Sequence, residues 1–248
     1  MKNTLSVVMI THNADELLKR VLESVVAIAN EIVIVDDGST DQTLQIASDY
    51  KATILTFKDP SLGKRKTFGI DHATSEWILV LDSDEIVSKP LAREITTVIA
   101  KRLATDVYYI PYKNHFLGKP LRYGGERYAM PRLFKKKKAK MRDSLVHEQI
   151  MFDVGRSRCL SGAILHYSYR SLPQMYRKFT DYALREARQK KRAGERTGLK
   201  KIFMYPPHMV WARFIKDRGY KDGFFRLPLD IGFGYMELVT YVSMLFIR

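Results

Sequence analysis

The sequence predicts an α/β protein: a mixed, mostly parallel sheet comes first, and a helical, basic region follows. Over residues 5–85, short apolar segments rich in β-branched residues alternate with amphipathic segments. Acidic turns follow two of the apolar segments. From Pro173 onward the pattern is helical, with many lysines and arginines. Alternation of the first kind is typical of βαβ units, in which helices connect parallel strands.

The first part of the chain is predicted to alternate strands with helices. Segment 77–81 is apolar throughout, which predicts a strand buried on both faces. Segment 14–27 has its apolar residues at the spacing of an amphipathic helix. Helical crossovers between such strands are right-handed and give a parallel sheet. The predicted strands are 5–10, 32–35, 52–57 and 77–81, and the predicted helices are 14–27, 41–50 and 64–73.

The pattern changes after Pro90, and the elements become more varied. A basic helix is predicted from Pro173, with a break at 194–198 and a last helix from Tyr235. The elements predicted between these points are a helix over 91–103 and strands over 107–116, 130–134 and 163–167. The predicted domains are a catalytic domain over 1–170, with halves 1–90 and 91–170, and a helical basic region over 171–248.

Composition limits the class of protein. A chain of 248 residues with 46% hydrophobic residues can bury a substantial core, which excludes disorder. The single cysteine, Cys159, excludes an intrachain disulfide framework, so a cytoplasmic location is expected. The apolar run 5–10 is short and leads into polar residues, which indicates a strand rather than a signal peptide. No uninterrupted apolar stretch has the roughly 18 residues of a membrane span; the longest candidate is 238–247.

Acidic residues follow two predicted strands at the points where the strands end. The sequence DDGSTD occupies 36–41, and DSDE occupies 82–85. Ligands bind at the carboxyl ends of strands in open α/β sheets, and unpaired carboxylates are costly near a core. A divalent cation shared with a diphosphate would explain both turns, because Mg²⁺ and Mn²⁺ prefer oxygen ligands. In the alternative reading, Asp36 and Asp41 only cap a turn and a helix.

Segments in the first third of the chain resemble family 2 glycosyltransferases in order and spacing. They are SVVMITHN at 6–13, VDDGSTD at 35–41, GIDHA at 69–73 and WILVLDSDE at 77–85. A looser resemblance links VHE at 146–148, ILHYSY at 164–169 and GYKDG at 219–223 to a branch of small bacterial enzymes. Those enzymes add glucose to the inner core of lipopolysaccharide.

The resemblance implies a GT-A fold, an inverting reaction, and a divalent cation, Mg²⁺ or Mn²⁺. Asp84 is the implied metal ligand. Lys66 stands where many members have an arginine beside the nucleotide, although Thr67 replaces the asparagine that usually follows it. The QxxRW motif of processive members is absent, which favours transfer of a single sugar. The residues implied to bind the nucleotide sugar are Thr11 and Asp37 at the uridine, Lys66, Asp82 near the ribose, and Ser83.

The chemistry also requires a carboxylate base on the acceptor side, since an acceptor hydroxyl attacks the anomeric carbon. Glu148 is the predicted base because the family has an Asp or Glu near this point. Asp143 and Glu126 are the reserve candidates, and Glu148 could instead be a surface residue. His166 is a second candidate metal ligand, with a structural histidine as its alternative. His147 is expected to support the fold.

The net charge of +15 favours an anionic partner. Basic residues concentrate at 135–140 and 185–201, and a solvated face is the plain reading of both runs. No recognised nucleic-acid-binding module is present, so no nucleic-acid partner is expected. The functional alternative is attachment to an anionic membrane surface, with apolar anchors Phe203, Met204, Tyr205 and Phe214.

These observations predict a UDP-sugar-dependent enzyme that acts on a lipid-linked glycan from the inner face of the cytoplasmic membrane. A sugar-nucleotidyltransferase or a dinucleotide-dependent oxidoreductase would need a glycine-rich loop after the first strand, and residues 11–15 do not form one. A polyanion- or membrane-binding module without catalysis remains an alternative, but it needs no acidic turns. Capsule, glycoprotein and other glycolipid acceptors also remain open.

Overall fold

The computed structural model describes residues 4–101, 104–141, 150–152 and 156–247. The chain forms two compact units. The first comprises Met1–Tyr112 and Tyr128–His166, and the second comprises Lys113–Arg127 and Tyr167–Arg248. Lys113–Arg127, which the sequence pattern had grouped with the catalytic domain, belongs to the second unit, and the predicted domain boundary at residue 171 stays a prediction.

The first unit opens with strictly alternating strands and helices. Its first elements are β1 (Leu5–Thr11), α1 (Asp15–Val25), β2 (Glu31–Asp36), α2 (Thr43–Asp49), β3 (Thr53–Thr56), α3 (Leu62–His72) and β4 (Trp77–Asp82). Strand β1 pairs in parallel with both β2 and β4, and β2 pairs in parallel with β3. The predicted parallel βαβ arrangement is confirmed, and the central strands are almost completely buried.

The register of the parallel strands brings the two acidic turns to one edge of the sheet. Thr11, the last residue of β1, lies opposite Asp36, and Ile10 lies opposite Asp82. Helix α3 packs closely on β1 and β2, because a side chain at Gly69 would come within 2.7 Å of Val8 and 2.9 Å of Val35. The α3 residues that precede Gly69 are thereby held beside the acidic turns.

The rest of the first unit converts the parallel sheet into a mixed one, as expected for the fold. Strand β8 runs antiparallel to β4 and to β6, and β5 runs antiparallel to β12. Helix α4 begins at a favourable cap, where Ser88 Oγ accepts a hydrogen bond from Leu91 N. The further elements of the chain are β5 (Glu85–Val87), α4 (Lys89–Ala100), β6 (Val107–Phe116), β7 (Lys119–Pro120), β8 (Ala129–Lys135), β9 (Ala139–Met141), β10 (Ile150–Phe152), β11 (Ser157–Cys159) and β12 (Ile164–Tyr169).

The helices of the second unit are α5 (Leu172–Arg192), α6 (Leu199–Trp211) and α7 (Leu227–Phe246). A π-helical turn, Ala212–Lys216, extends α6, and 3₁₀ turns lead from there to α7. Helix α7 packs against both other helices through its glycines. A side chain at Gly232 would meet Phe179 and Met175 of α5, and one at Gly234 would meet Val210 and Pro206 of α6.

The sequence pattern misplaced parts of these helices. Helix α7 begins eight residues before the predicted Tyr235, since its glycines and proline had suggested a loop. Helix α6 was not predicted, because prolines 206 and 207 lack the backbone N–H that an interior helical position uses. The predicted break at 194–198 is confirmed, because α5 ends at Arg192 and α6 begins at Leu199.

Two lysines of the first basic run make contacts within the fold. In the run at 135–140, Lys135 pairs with Asp106 at 3.0 Å, and Lys136 Nζ donates to the carbonyls of Asp71 and Ala73. Part of this run therefore stabilises the fold.

Segment Phe224–Phe246 is long and apolar enough to cross a membrane by length and composition. The sequence analysis had counted only uninterrupted apolar runs and missed this segment.

Candidate active site

The turn after β2 is shaped by Asp36. Its carboxylate accepts hydrogen bonds from the amides of Gly38 (2.8 Å) and Ser39 (2.9 Å), and from the hydroxyls of Ser39 (2.6 Å) and Thr11 (3.1 Å). Burial opposes the charge of Asp36, but these hydrogen bonds outweigh it and lower the pKa of the carboxyl. Asp36 therefore organises the turn, as the capping alternative proposed, and the Thr11 hydroxyl supports the same turn.

Asp41 and Asp37 have different partners. Asp41 accepts hydrogen bonds from the amides of Thr43 (3.0 Å) and Asp15 (3.3 Å), so it also has the capping role. Asp37 instead forms an ion pair with Arg65, whose Nη1 lies 2.8 Å from Asp37 Oδ2. In this turn it is therefore Asp37 whose carboxylate is bound by a cation of helix α3, Arg65. The uridine contacts predicted for Thr11 and Asp37 stay predictions.

Helix α3 connects the two acidic turns through consecutive cations. While Arg65 pairs with Asp37, the Nζ of Lys66 lies 2.9 Å from Asp82 Oδ1 at the end of β4. Both cationic side chains are almost completely buried. Helix α3 therefore contacts the turns of both Asp37 and Asp82, through Arg65 and Lys66 respectively. The role of Asp37, Lys66 and Asp82 in binding a nucleotide sugar stays a prediction, and Arg65 was not among the predicted residues.

The second acidic turn connects β4 to β5, with Ser83 and Asp84 at its tip. The side chain of Asp82 is 32% exposed and contacts two cations, Lys66 and Arg132, the latter at 3.0 Å. Burial opposes ionisation of Asp82, but Lys66 and Arg132 outweigh it and hold its pKa well below the ordinary value. Asp82 is therefore a carboxylate that two cations, Lys66 and Arg132, favour in its charged form.

Beneath this turn, Glu85 forms a buried network with Arg132 and Tyr112. Arg132 Nη2 lies 2.8 Å from Glu85 Oε1, and the Tyr112 hydroxyl donates to the same oxygen at 2.8 Å. The amide of Asp82 donates to the other carboxylate oxygen. Burial raises the pKa of Glu85, and the charge of Asp82 adds to this while that of Arg132 opposes it. Arg132 thus fixes the turn by binding both of its inner carboxylates.

Asp84 faces a different partner, His166 of β12. The His166 Nε2 lies 3.5 Å from Asp84 Oδ1, and both side chains are partly exposed. Burial opposes protonation of His166, but Asp84 outweighs it and raises the imidazole pKa. Within the described residues no group of three or more His, Cys, Asp or Glu side chains converges. A carboxylate and an imidazole at this spacing fit a divalent cation that takes its other ligands from substrate phosphates and water.

A family model described as glycosyl transferase family 2 matches residues 6–165, which is more than half of the chain. The chain belongs to this family. It is 27% identical to an uncharacterized glycosyltransferase of Rickettsia typhi, covering 98% of this chain and 85% of that protein. It is also 27% identical to the lipopolysaccharide core biosynthesis glycosyltransferase LpsC of Rhizobium meliloti, covering 96% of this chain and 88% of LpsC.

The GT-A fold of this glycosyltransferase is similar to that of a solved relative. The structure of S. aureus TarS 1–349 in complex with UDP-GlcNAc superposes with a TM-score of 0.55 at 15% identity, covering 97% of this chain and 92% of that one. At this identity the similarity establishes the fold alone. The sequence expectations of family 2 membership and of a GT-A fold are thus confirmed.

The candidates for the catalytic base of this glycosyltransferase fall into two groups. Glu148, Asp143 and His147 lie outside the described residues. Glu126, a reserve candidate, is buried in the second unit, where Arg213 (2.5 Å), Arg226 (3.2 Å) and Asn114 (2.7 Å) bind its carboxylate. Taking up a proton there would disrupt buried ion pairs. Glu126 is therefore a structural residue, and Glu148 remains the predicted base.

Sequence reasoning missed three residues of the glycosyltransferase site. Arg65 stands beside Lys66 in a basic stretch of α3 and was not distinguished from it. Arg132 had a usable signal: it is an arginine within a short, otherwise apolar strand, where a charge needs a partner. Tyr112 had no such signal, since its hydroxyl partner is known only from the fold. Glu85, which had no predicted role, is the buried partner of the last two.

Proposed function

We propose that this glycosyltransferase moves one sugar, glucose as the first candidate, from a UDP-sugar to a lipid-linked glycan such as the inner core of lipopolysaccharide. The observation that carries the proposal is that the two aspartates of the β4–β5 turn contact different side chains. Asp82 is bound by Lys66 and Arg132, while Asp84 faces His166. One carboxylate is thereby bound by protein cations, and the other faces an imidazole nitrogen.

The donor proposal draws on the acidic turns and on the solved relative. TarS has been solved with UDP-GlcNAc. In this chain Asp37 follows β2 and Asp82 ends β4, the two strands that flank β1, and ligands of open α/β sheets bind at such strand ends. The uridine would contact Thr11 and Asp37, and the ribose and diphosphate would lie beside Asp82, Ser83 and Lys66. The buried ammonium of Lys66 adds positive charge next to the diphosphate.

A divalent cation, Mg²⁺ or Mn²⁺, fits the donor set formed by Asp84 and His166. When bound, such a cation supplies charge stabilisation to the departing nucleoside diphosphate. The protein's own contribution is to position these two ligands. The network of Arg132, Glu85 and Asp82 holds the turn from below, so that Asp84 reaches His166 without competing for the same cations.

Glu148 is the proposed base. It would accept the proton of the acceptor hydroxyl as that oxygen attacks the anomeric carbon, with inversion at that carbon. The acceptor class rests on the similarity to LpsC, whose name refers to lipopolysaccharide core biosynthesis. A lipid-linked acceptor would place the enzyme peripherally on the inner face of the cytoplasmic membrane. The charge of +15 suits phosphorylated glycolipids and anionic lipids alike.

The decisive experiment measures UDP release from a panel of UDP-sugars, with and without a deacylated lipopolysaccharide core. Each reaction is run with Mg²⁺, with Mn²⁺ and with a chelator. We expect acceptor-dependent release with UDP-glucose, lost in Asp84→Asn. Glu148→Gln should retain UDP binding and lose transfer. A non-catalytic polyanion-binding module would release no UDP in any reaction, and that result would refute the proposal.

A matched control separates these effects from general damage. Asp59 is an acidic residue outside the two turns, and its side chain pairs with exposed Lys64 at 3.7 Å. The variant Asp59→Asn removes one carboxylate just before helix α3, which also carries Lys66, and this variant should keep full turnover. Equal loss of turnover in Asp59→Asn and Asp84→Asn would contradict the assignment of Asp84.

A further inference from the structure

The second unit exposes a row of large apolar side chains along α6 and its π-helical extension. Leu199 is 74% exposed, Phe203 68%, Trp211 51% and Ile215 49%. With Pro207, which is also exposed, they recur at every fourth position, so they follow one side of the helix. Met204 adds a further exposed apolar side chain next to Phe203. We call these six residues the α6 ridge.

The α6 ridge is not the face that packs on the rest of the unit. Helix α6 contacts α7 through a different row: Ile202 is buried with Tyr241 and Met244, and Pro206 and Val210 approach Gly234. A helix within a soluble fold turns one apolar face inward and a polar face outward. Here both faces are apolar, and exposed apolar patches of this kind mark interaction sites.

Cations border the α6 ridge, and acidic residues are absent from it. Residues 199–216 contain four Lys or Arg and no Asp or Glu. Lys200 and Lys216 are exposed at its two ends, and Arg196 and Arg218 are exposed just beyond. A tryptophan among aliphatic and phenylalanine side chains, with lysines at the margin, is the composition of helices that lie in a membrane interface.

We propose that the α6 ridge is a membrane-docking surface that inserts into the interface of a bilayer containing anionic phospholipid. The helix lies in the plane of the membrane, Phe203 and Trp211 enter the boundary between headgroups and acyl chains, and the flanking cations contact lipid phosphates. This inference rests on the proposed function only for its purpose, which is to bring the enzyme to a lipid-linked acceptor.

Charge and polarity argue against two other partners for the α6 ridge, a second copy of the chain and a nucleic acid. A second copy of the chain would bring two mainly cationic margins together, each with exposed Asp217 as an acidic residue among Lys200, Lys216, Arg196 and Arg218, and the chain as a whole has a net charge of +15. A nucleic acid would pair with the cations but would leave aliphatic Leu199 and Ile215 in contact with water or phosphate. A bilayer satisfies both the apolar row and its basic margin.

The two tryptophans of the chain allow a direct test. Trp77 is buried, at 1% exposure, whereas Trp211 lies on the ridge. In the variant Trp77→Phe, emission comes from Trp211 alone. We expect its emission to shift to the blue when vesicles of phosphatidylcholine and phosphatidylglycerol are added, and to be quenched when the lipids carry bromine on the acyl chains. Vesicles of phosphatidylcholine alone should produce a weaker shift.

Vesicle sedimentation of the full chain provides the mutational test. Phe203→Glu combined with Leu199→Glu should reduce binding to the anionic vesicles at least about ten-fold. The matched control is Val26→Glu, which places the same charge on an exposed apolar residue of the first unit and should bind as the unchanged protein does. Thermal unfolding of each variant identifies any that fails to fold, and lysine-to-glutamine changes at 200 and 216 then test the same surface.

Several outcomes would overturn the proposal. They are sedimentation with vesicles without a change in Trp211 emission, a blue-shifted Trp211 in a vesicle-free dimer, and membrane association that only detergent can reverse, as a spanning α7 would require. The assays also separate this inference from the proposed function. If the unchanged protein does not bind the anionic vesicles but releases UDP normally in the presence of a deacylated acceptor, the docking surface alone is refuted. If it binds the vesicles but releases no UDP, the transferase assignment alone is refuted.

Discussion

Lys66 Nζ lies 2.9 Å from Asp82 Oδ1, and this contact joins helix α3 to the end of strand β4. The ammonium is almost completely buried, so it depends on its carboxylate partner. The preceding residue, Arg65, makes the equivalent contact with Asp37 at the end of β2. Two adjacent positions of one helix therefore set the distance between the two acidic turns, which is the distance that a nucleotide sugar would have to bridge.

Removing the ammonium of Lys66 should impair turnover more than folding. In Lys66→Met, Asp82 keeps Arg132 but loses the cation proposed to lie beside the diphosphate. We expect kcat/KM for the UDP-sugar to fall about 10²-fold or more, a magnitude typical of removing one electrostatic group from an active site. Steady-state UDP release measures the effect. Lys64→Met, a change of an exposed lysine in the same helix, should stay within about two-fold of the unchanged enzyme.

The pair formed by Asp84 and His166 should determine metal affinity. In His166→Ala we expect the metal concentration for half-maximal activity to rise at least about ten-fold. In Asp84→Asn, which should lose turnover, we expect the dissociation constant for Mn²⁺ to rise at least as much, because each change removes one of two protein ligands. Isothermal titration of Mn²⁺ in the presence of UDP provides a second readout. His72→Ala, on the exposed end of α3, is the control. Unchanged metal dependence in both site variants would show that the cation binds elsewhere.

Arg132 should contribute strongly to stability. In Arg132→Met the carboxylate of Glu85, which is 1% exposed, loses its ion-pair partner inside the protein. We expect a loss of about 3–5 kcal/mol in the free energy of unfolding, the range for breaking a buried ion pair. Urea unfolding measures it. The double variant Arg132→Met with Glu85→Gln should recover part of the loss, because the buried charge is then removed; equal loss in both would contradict the assignment.

Glu94 of α4 should give stability that depends on pH. Its carboxylate accepts hydrogen bonds from the amides of Ser161 and Gly162 and from the Ser161 hydroxyl. Partial burial opposes its charge, but these bonds outweigh it and lower the pKa of Glu94. A lowered pKa stabilises the fold above the ordinary carboxyl value of about 4.3, and the stabilisation is lost as pH falls through the folded-state pKa.

The variant Glu94→Gln should therefore lose about 1 kcal/mol of unfolding free energy at neutral pH, a modest value because the site is partly exposed. The difference from the unchanged protein should narrow as the pH falls through the folded-state pKa of Glu94, because both proteins then carry a neutral side chain. Urea unfolding over a series of decreasing pH values tests this. Glu76→Gln, at an exposed glutamate before β4, should show no such pH dependence, and a similar dependence there would point to a general charge effect.

Local patterns in the sequence predicted the elements of the first unit closely. The four strands before Asp82 fall within two residues of their predicted limits, because buried parallel strands are continuous apolar runs. The second unit was harder. Helix α6 contains two prolines and α7 contains two glycines, so local propensity argued against both. Packing of α5 and α6 on α7 overrides that propensity, and sequence patterns do not report packing.

In the candidate site, too, some residues could be selected from the sequence and others could not. Asp37, Lys66, Asp82 and Asp84 could be selected from strand ends and family motifs, whereas the partners that fix their charges could not. Tyr112 belongs to β6 and Arg132 to β8, two strands that follow the βαβ region in the sequence. Only the folded sheet brings these two residues beneath Asp82 and Glu85. The alternative in which Asp36 and Asp41 cap a turn and a helix could likewise be tested only by their hydrogen bonds in the fold.

The sequence by itself determined the family, the GT-A fold class and the two acidic turns, because strand burial, helix periodicity and short motifs are written in neighbouring residues. The tertiary structure decided which carboxylate of each turn is bound by a cation and which faces a possible metal partner. It also decided that the outer side of α6 is apolar and exposed. These properties depend on groups distant in sequence, since ion pairing and burial act between side chains that only the fold brings together.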